Sequence, residues 1–178
     1  MSAGRLARPA PVLIPLVTAG LVPTLLGLLL PGPGLPVPGL PRLVGGGVLV
    51  LLGGWMTADS VDRVYLRQRT PLGDRPPEHL VRAGWYRVVR NPMAAGMTLL
   101  LIGLALWWSA SSVLCWAAVV LTVSCVAVLR VEEPSLLDTF GAQYAAYRRE
   151  VAGWIPYAPR PRSAKAVPHA TDARPNKD

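Results

Sequence analysis

Histidine and cysteine are nearly missing from this chain, with two of each in 178 residues. His79 and His169 stand far apart, and no pattern of Cys and His has the spacing of metal ligands, so no metal is expected. Cys115 and Cys125 fall in one apolar run. Helix would separate them by about 15 Å along its axis, too far for a disulfide. Charge is sparse as well: 16% of residues are charged and 52% are hydrophobic. The mean hydropathy of +0.38 is high for a water-soluble domain, so lipid is the expected solvent. No Gly-x-Gly-x-x-Gly follows a strand and strands do not alternate with helices, which excludes a soluble dinucleotide- or nucleoside-binding fold. Acidic residues are the scarcer charge, 10 against 18 basic, for a net charge of +8. The basic excess lies between long apolar runs, so anionic lipid headgroups, and no nucleic acid, are its expected partner.

What the chain does have is four apolar runs, at 12–30, 43–58, 93–108 and 113–131. They predict an all-α polytopic membrane protein with about four transmembrane helices, two of them short for a full span of about 20 residues. Arg5 and Arg8 ahead of the first run resemble the start of a signal peptide. That run is long for a signal core, however, and Pro31-Gly32-Pro33-Gly34 follows it where a cleavage site would stand, so cleavage is not expected. Pro15 and Pro23 predict a kink in the first helix. Gly46 and Gly53, like Gly47 and Gly54, are seven residues apart and share a helical face, which predicts close packing against another helix.

Basic residues set the orientation. Arg5 and Arg8 precede the first run, and Arg63, Arg67, Arg69, Arg75, Arg82, Arg87 and Arg90 lie between the second and third. Arg130 and all basic residues beyond it follow the fourth, leaving only Arg42 on the other side. The positive-inside rule then puts both termini in the cytoplasm of a bacterial-type inner or plasma membrane. The expected domain covers 1–157: a helical scaffold at 12–58, a cytoplasmic loop at 59–92, a helical hairpin at 93–131 and a C-terminal segment at 132–157. A basic tail, 158–178, lacks apolar period and is expected to be disordered. Phe140, Tyr144, Tyr147, Val151 and Trp154 recur at spacings of three and four, which predicts a C-terminal helix along the headgroup boundary.

Two segments are placed to carry chemistry. The long loop ends in Arg90-Asn91-Pro92-Met93, where Asn91 suits an N-cap and Pro92 a first helical residue. Besides simply starting a helix, such an end points backbone N–H groups at an anion, and Arg90 can add a charge-assisted bond to a carboxylate. Past the fourth run stand Arg130, Glu132 and Glu133, next to hydrocarbon. Their position fits either a polar cavity or plain helix termination. Carboxylates and aromatic faces attract a sulfonium methyl donor, and methyl transfer asks for little beyond alignment.

Leu80-Val81 with Gly84, Tyr86 and Arg90-Asn91-Pro92-Met93 through Gly96 form one block; Glu132-Glu133 with Leu136, Phe140-Gly141, Tyr144, Tyr147, Val151 and Pro156 form a second. In order and in separation by one helical hairpin, these blocks resemble the isoprenylcysteine carboxyl methyltransferase and phospholipid methyltransferase family. The resemblance implies S-adenosylmethionine as cofactor, bound by Leu80, Val81, Gly84, Tyr86, Arg90, Asn91, Pro92, Met93, Gly96 and Glu133. It further implies that Glu132 faces the methyl acceptor, with Arg130 displaced from the usual position of a substrate-contacting arginine, where this chain has Val128. The acceptor would be lipophilic, an isoprenylcysteine-type carboxylate or a phospholipid amine. The family often has Arg-His-Pro-x-Tyr-x-Gly, whereas this chain has Asn91 for the His and Ala94 for the Tyr. Asn91 does not titrate near neutrality, so an acid–base role is lost there. The alternative these departures permit is a non-catalytic lipid- or partner-binding membrane protein that keeps the fold. A transporter is a weaker reading, because the spans lack ionisable residues for a pathway.

Overall fold

The computed structural model describes residues 17–68 and 77–155, which are helical apart from their connections. The start of the first apolar run with Pro15, loop positions Arg69 and Arg75, Pro156 and the 158–178 tail lie outside the described residues. A wide turn, Val17–Leu21, leads into α1, Val22–Leu29. The kink expected at Pro23 takes this form: a π turn ends just before the proline, whose ring and missing N–H disfavour ordinary helical bonding behind it.

Helix α2, Gly39–Val61, runs on into a second π turn, Asp62–Leu66, in which the Arg67 N–H donates to the Asp62 carbonyl at 2.9 Å. A 3-10 turn, Gly84–Arg87, precedes α3, Pro92–Trp108, and α4, Ser111–Ala127. A third π turn, Val128–Glu132, joins α4 to α5, Glu133–Glu150. Gly39–Leu66 and Ser111–Glu150 are long and apolar enough to cross a membrane, whereas Val17–Leu29 and Pro92–Trp108 are apolar but shorter. Among the described residues, two of the four expected spans thus reach full length. The 17 residues of α3 extend about 25 Å against a hydrocarbon core of about 30 Å.

Helices α2 and α3 are antiparallel and joined by glycines in register, Gly46 facing Gly103 and Gly53 facing Gly96. A Cβ added to Gly46 would stand 2.9 Å from the Gly103 carbonyl oxygen, and one on Gly103 would stand 2.7 Å from that of Gly46. The face predicted to pack closely does so, and its partner carries the same seven-residue glycine spacing. Gly47 and Gly54 lie beside the seam, against the side chains of Trp107 and Leu100.

The turn between α3 and α4 is tight because Ser109 adopts a left-handed φ of 54° and the Ala110 N–H reaches back to the Ala105 carbonyl at 3.0 Å. Met97, Leu101, Ala117 and Val120 form one core cluster between these helices, and Ala105, Ala110 and Val113 form another. The segment before α1 is tied to both: Trp116 Nε1 donates to the Thr18 carbonyl at 2.9 Å, and Thr18 Oγ1 to Met97 Sδ at 3.4 Å. Where α3 ends, Arg42 Nη1 donates to the Leu106 and Trp107 carbonyls at 2.7 and 2.8 Å, satisfying acceptors that a helix C-terminus leaves open. Leu51, Trp55, Val119, Val123 and Val126 point outward and exposed, an apolar surface suited to lipid.

The C-terminal helix departs from expectation. Gly141 has φ 48° and ψ −122°, which breaks α5 in two, and the chain is extended again at Val151. The aromatic stripe is therefore not one helical face running to Trp154. Tyr144 and Tyr147 are buried in the protein itself.

Candidate functional site

The Gly141 break brings the second half of α5 back over the first. Along a straight helix Glu133 and Arg148 would be about 22 Å apart. Instead Arg148 Nη2 lies 3.4 Å from Glu133 Oε2. The other oxygen of that carboxylate lies 3.1 Å from Arg90 Nη2, so one buried glutamate joins the loop ahead of α3 to both halves of α5.

Backbone pairing strengthens this meeting. The Arg90 N–H donates to the Ala152 carbonyl at 2.7 Å, and the Asn91 N–H and Nδ2 both donate to the Gly153 carbonyl at 3.2 Å. Val89 and Ala152 form an isolated parallel bridge. Tyr147 Oη donates to the Tyr86 carbonyl at 2.7 Å, and Arg82 lies over the Tyr147 ring while pairing with Glu150 at 2.7 Å. The two blocks separated by the α3–α4 hairpin in sequence are thus in contact in space.

Each site residue singled out from the sequence has a definite place. Pro92 is the first residue of α3, and Asn91 holds the N-cap position, but its side chain turns to Gly153 and does not cap. The first-turn amides of Met93 and Ala94 then have no intrahelical acceptor. Arg90 gives one arm to Glu133, while its Nε and Nη1 are buried without a hydrogen-bond partner. Leu80, Val81, Tyr86 and Met93 are half-buried. Burial, with Tyr65, Tyr147 and Glu132 nearby, pushes the Tyr86 phenol well above its ordinary range, against a smaller opposite effect of its hydrogen bond with Ser60. Glu132 is exposed at the end of its π turn, within electrostatic reach of Tyr65, Tyr86 and Tyr144.

Four residues are placed differently from what a shared pocket suggests. Gly96 lies in the α2–α3 seam, where a Cβ would meet Met56 and Thr57. Gly84, with φ +60°, sits on the Asp59–Arg63 ion pair, and any side chain there would strike it. Arg130 is exposed and makes no ion pair among the described residues. Glu133, expected as a cofactor contact, is spent on Arg90 and Arg148.

Sequence reasoning missed Arg148, Ser60 and the Ala152–Gly153 carbonyls. A glycine inside an otherwise helical stripe was the available signal for Arg148; the backbone acceptors left none.

Whether the residues fit a bound nucleoside with an amino-acid tail turns on Arg90. Two buried donors with no partner, beside the open start of a helix, suit a carboxylate. A family model described as phospholipid methyltransferase matches residues 41–143, more than half of the chain, from the start of α2 to just past the Gly141 break. No curated protein matches the chain.

Proposed function

The chain belongs to the phospholipid methyltransferase family, and on that premise we propose that it is a membrane enzyme that transfers a methyl group from S-adenosylmethionine to a lipophilic acceptor at the cytoplasmic face. The acceptor is an isoprenylcysteine-type carboxylate or a phospholipid amine, reached from a bacterial-type inner or plasma membrane. The observation that carries this reading is Arg90: fixed through one arm by buried Glu133, with two buried donors unspent at the mouth of α3.

S-adenosylmethionine, when bound, supplies an electrophilic methyl group on a sulfonium centre. Arg90 and the Met93 and Ala94 amides hold the carboxylate of its amino-acid tail. Glu132 and the faces of Tyr65, Tyr86 and Tyr144 provide negative potential toward the sulfonium and the acceptor. Tyr86 stays protonated throughout the neutral range, so its phenol donates and does not act as a base. Asn91 likewise orients and takes no proton, its amide being engaged by Gly153. The work of the site is alignment and exclusion of water, for which about 7–11 kcal/mol is available from positioning alone.

S-adenosylhomocysteine is expected to bind the detergent-solubilised protein, read by calorimetry and thermal stabilisation. Glu132→Gln is expected to cut methyl transfer while leaving the fold intact. Absence of both heat and stabilisation at millimolar ligand would overturn the proposal in favour of a non-catalytic protein that keeps the fold. Unchanged turnover in the variant would remove Glu132 from the site.

A further inference from the structure

Val44, Val48, Leu51 and Trp55 follow each other at spacings of four, three and four on α2, one exposed apolar stripe along its outer face. One and two turns further the same side of the helix carries Asp59 and Asp62, held by Arg63 and Arg67. Trp55, 64% exposed, is therefore the apolar residue at which the stripe gives way to these charged pairs. Indole rings favour that boundary, with an apolar body toward the chains and a polar N–H toward the headgroups.

Trp55 is not alone. Its ring meets that of Trp85 edge to face, with centroids 5.1 Å apart and planes at 77°. Beside it the Asp59 carboxylate accepts the Trp85 backbone N–H and pairs with Arg63, and Gly84 lies flat on this pair. The 3-10 turn is thereby docked on α2 at the level where its apolar stripe ends. Arg87, exposed at the end of the turn, is in no ion pair among the described residues and offers its guanidinium to a phosphate. Tyr86 follows Trp85 directly, and Arg90 lies four residues on.

We propose that Trp55 is a lipid-interface anchor on which the Tyr86- and Arg90-bearing loop is docked, its partner being the glycerol and phosphate layer of the bilayer. Trp85 transmits the anchorage, and Arg87 adds the charge that matches the phosphates. The order of this loop then depends on the lipid surface and not only on the protein. The proposal stands without methyl transfer, since it concerns where the loop is held.

The test uses the full chain in phosphatidylcholine nanodiscs without cofactor. Lipids brominated near the carbonyl end or near the terminal methyl quench tryptophan by depth, and wild type minus Trp55→Phe isolates Trp55. Strongest quenching from the carbonyl-end bromines is expected; strongest quenching from the terminal bromines, or none, overturns the proposal. By hydrogen exchange, Trp55→Ala is expected to speed the amides of 85–90 by about tenfold, with Trp55→Tyr close to wild type and the Gly96–Leu101 amides unchanged. Should Trp55→Ala fail to fold, Trp85→Ala carries the same arm, loosening 85–90 while Trp55 keeps its depth. Loop amides that exchange as in wild type in the alanine variant overturn the anchorage.

Discussion

The two ends of the helical bundle each carry a key arginine, and they use it in opposite ways. Arg42 gives its Nη1 to two carbonyls at the end of α3, closing a helix terminus with a charge that suits the dipole. Around it, the Leu35 N–H is held by Ser109 Oγ at 2.9 Å, and the chain turns tightly from α3 to α4. Arg90 at the other end, with 14% side-chain exposure, spends one arm on Glu133 and leaves two donors idle. One end is finished as protein. The other keeps buried donors unspent.

The largest effect is expected from removing the charge that holds the incomplete end. Glu133→Ala leaves Arg90 buried without its counter-charge and releases Arg148, at about 3–5 kcal/mol of stability. Thermal unfolding in detergent checks this, and a loss below about 1 kcal/mol would make the buried pair incidental. Next comes the seam that joins the ends: Gly53→Val forces side-chain atoms onto the Gly96 and Leu100 backbone, costing about 3 kcal/mol or separating α2 from α3. Loss of both spans' mutual protection in hydrogen exchange is the readout. Arg42→Gln then tests the finished end, with an expected cost of about 1.5–3 kcal/mol for lost charged hydrogen bonds and no change in ligand affinity. A drop in S-adenosylhomocysteine binding in that variant would contradict the separation of the two ends.

The smallest effect is a pH dependence. Because the folded state raises the Tyr86 pKa, the stability this group contributes is present below its ordinary value of about 10 and is lost as pH climbs above it. Tyr86→Phe is expected to flatten denaturation midpoints between pH 9 and 11, roughly the window in which an unfolded tyrosine ionises. Equal slopes in both proteins would mean that other groups govern that limb.

Faces and end signals were legible in the sequence, and backbone breaks were not. The apolar runs, the start of α3 at Pro92 and the Gly46/Gly53 face follow from period and from proline's fitness for a first helical turn, and the structure has them, although the Asn91 side chain turns to Gly153 instead of capping. Gly96 and Gly103 repeat the spacing of Gly46 and Gly53, so the partner of that face was also readable, although Gly96 drew attention as a cofactor contact instead. Gly141 is the instructive failure. A three-four stripe runs straight through it, because periodicity weighs side chains and is blind to a φ that only the backbone reveals. Everything dependent on that bend, above all Arg148 on Glu133, was hidden with it. Hydropathy marks apolar runs without stating how many turns of helix they supply, and among the described residues two of the four runs form helices of spanning length and two form shorter ones.

The short parallel clasp between Val89 to Asn91 and Ala152 to Gly153 also orders events during biogenesis. Asn91 leaves the ribosome 62 residues ahead of its acceptor at Gly153, a delay of about 3–12 s at ordinary synthesis rates. During that interval α2 and α3 can close their glycine seam while Arg90 still lacks its carboxylate and its carbonyl. A newborn chain thus passes through a stage in which the seam can close while Glu133 and Gly153 have yet to reach Arg90 and Asn91.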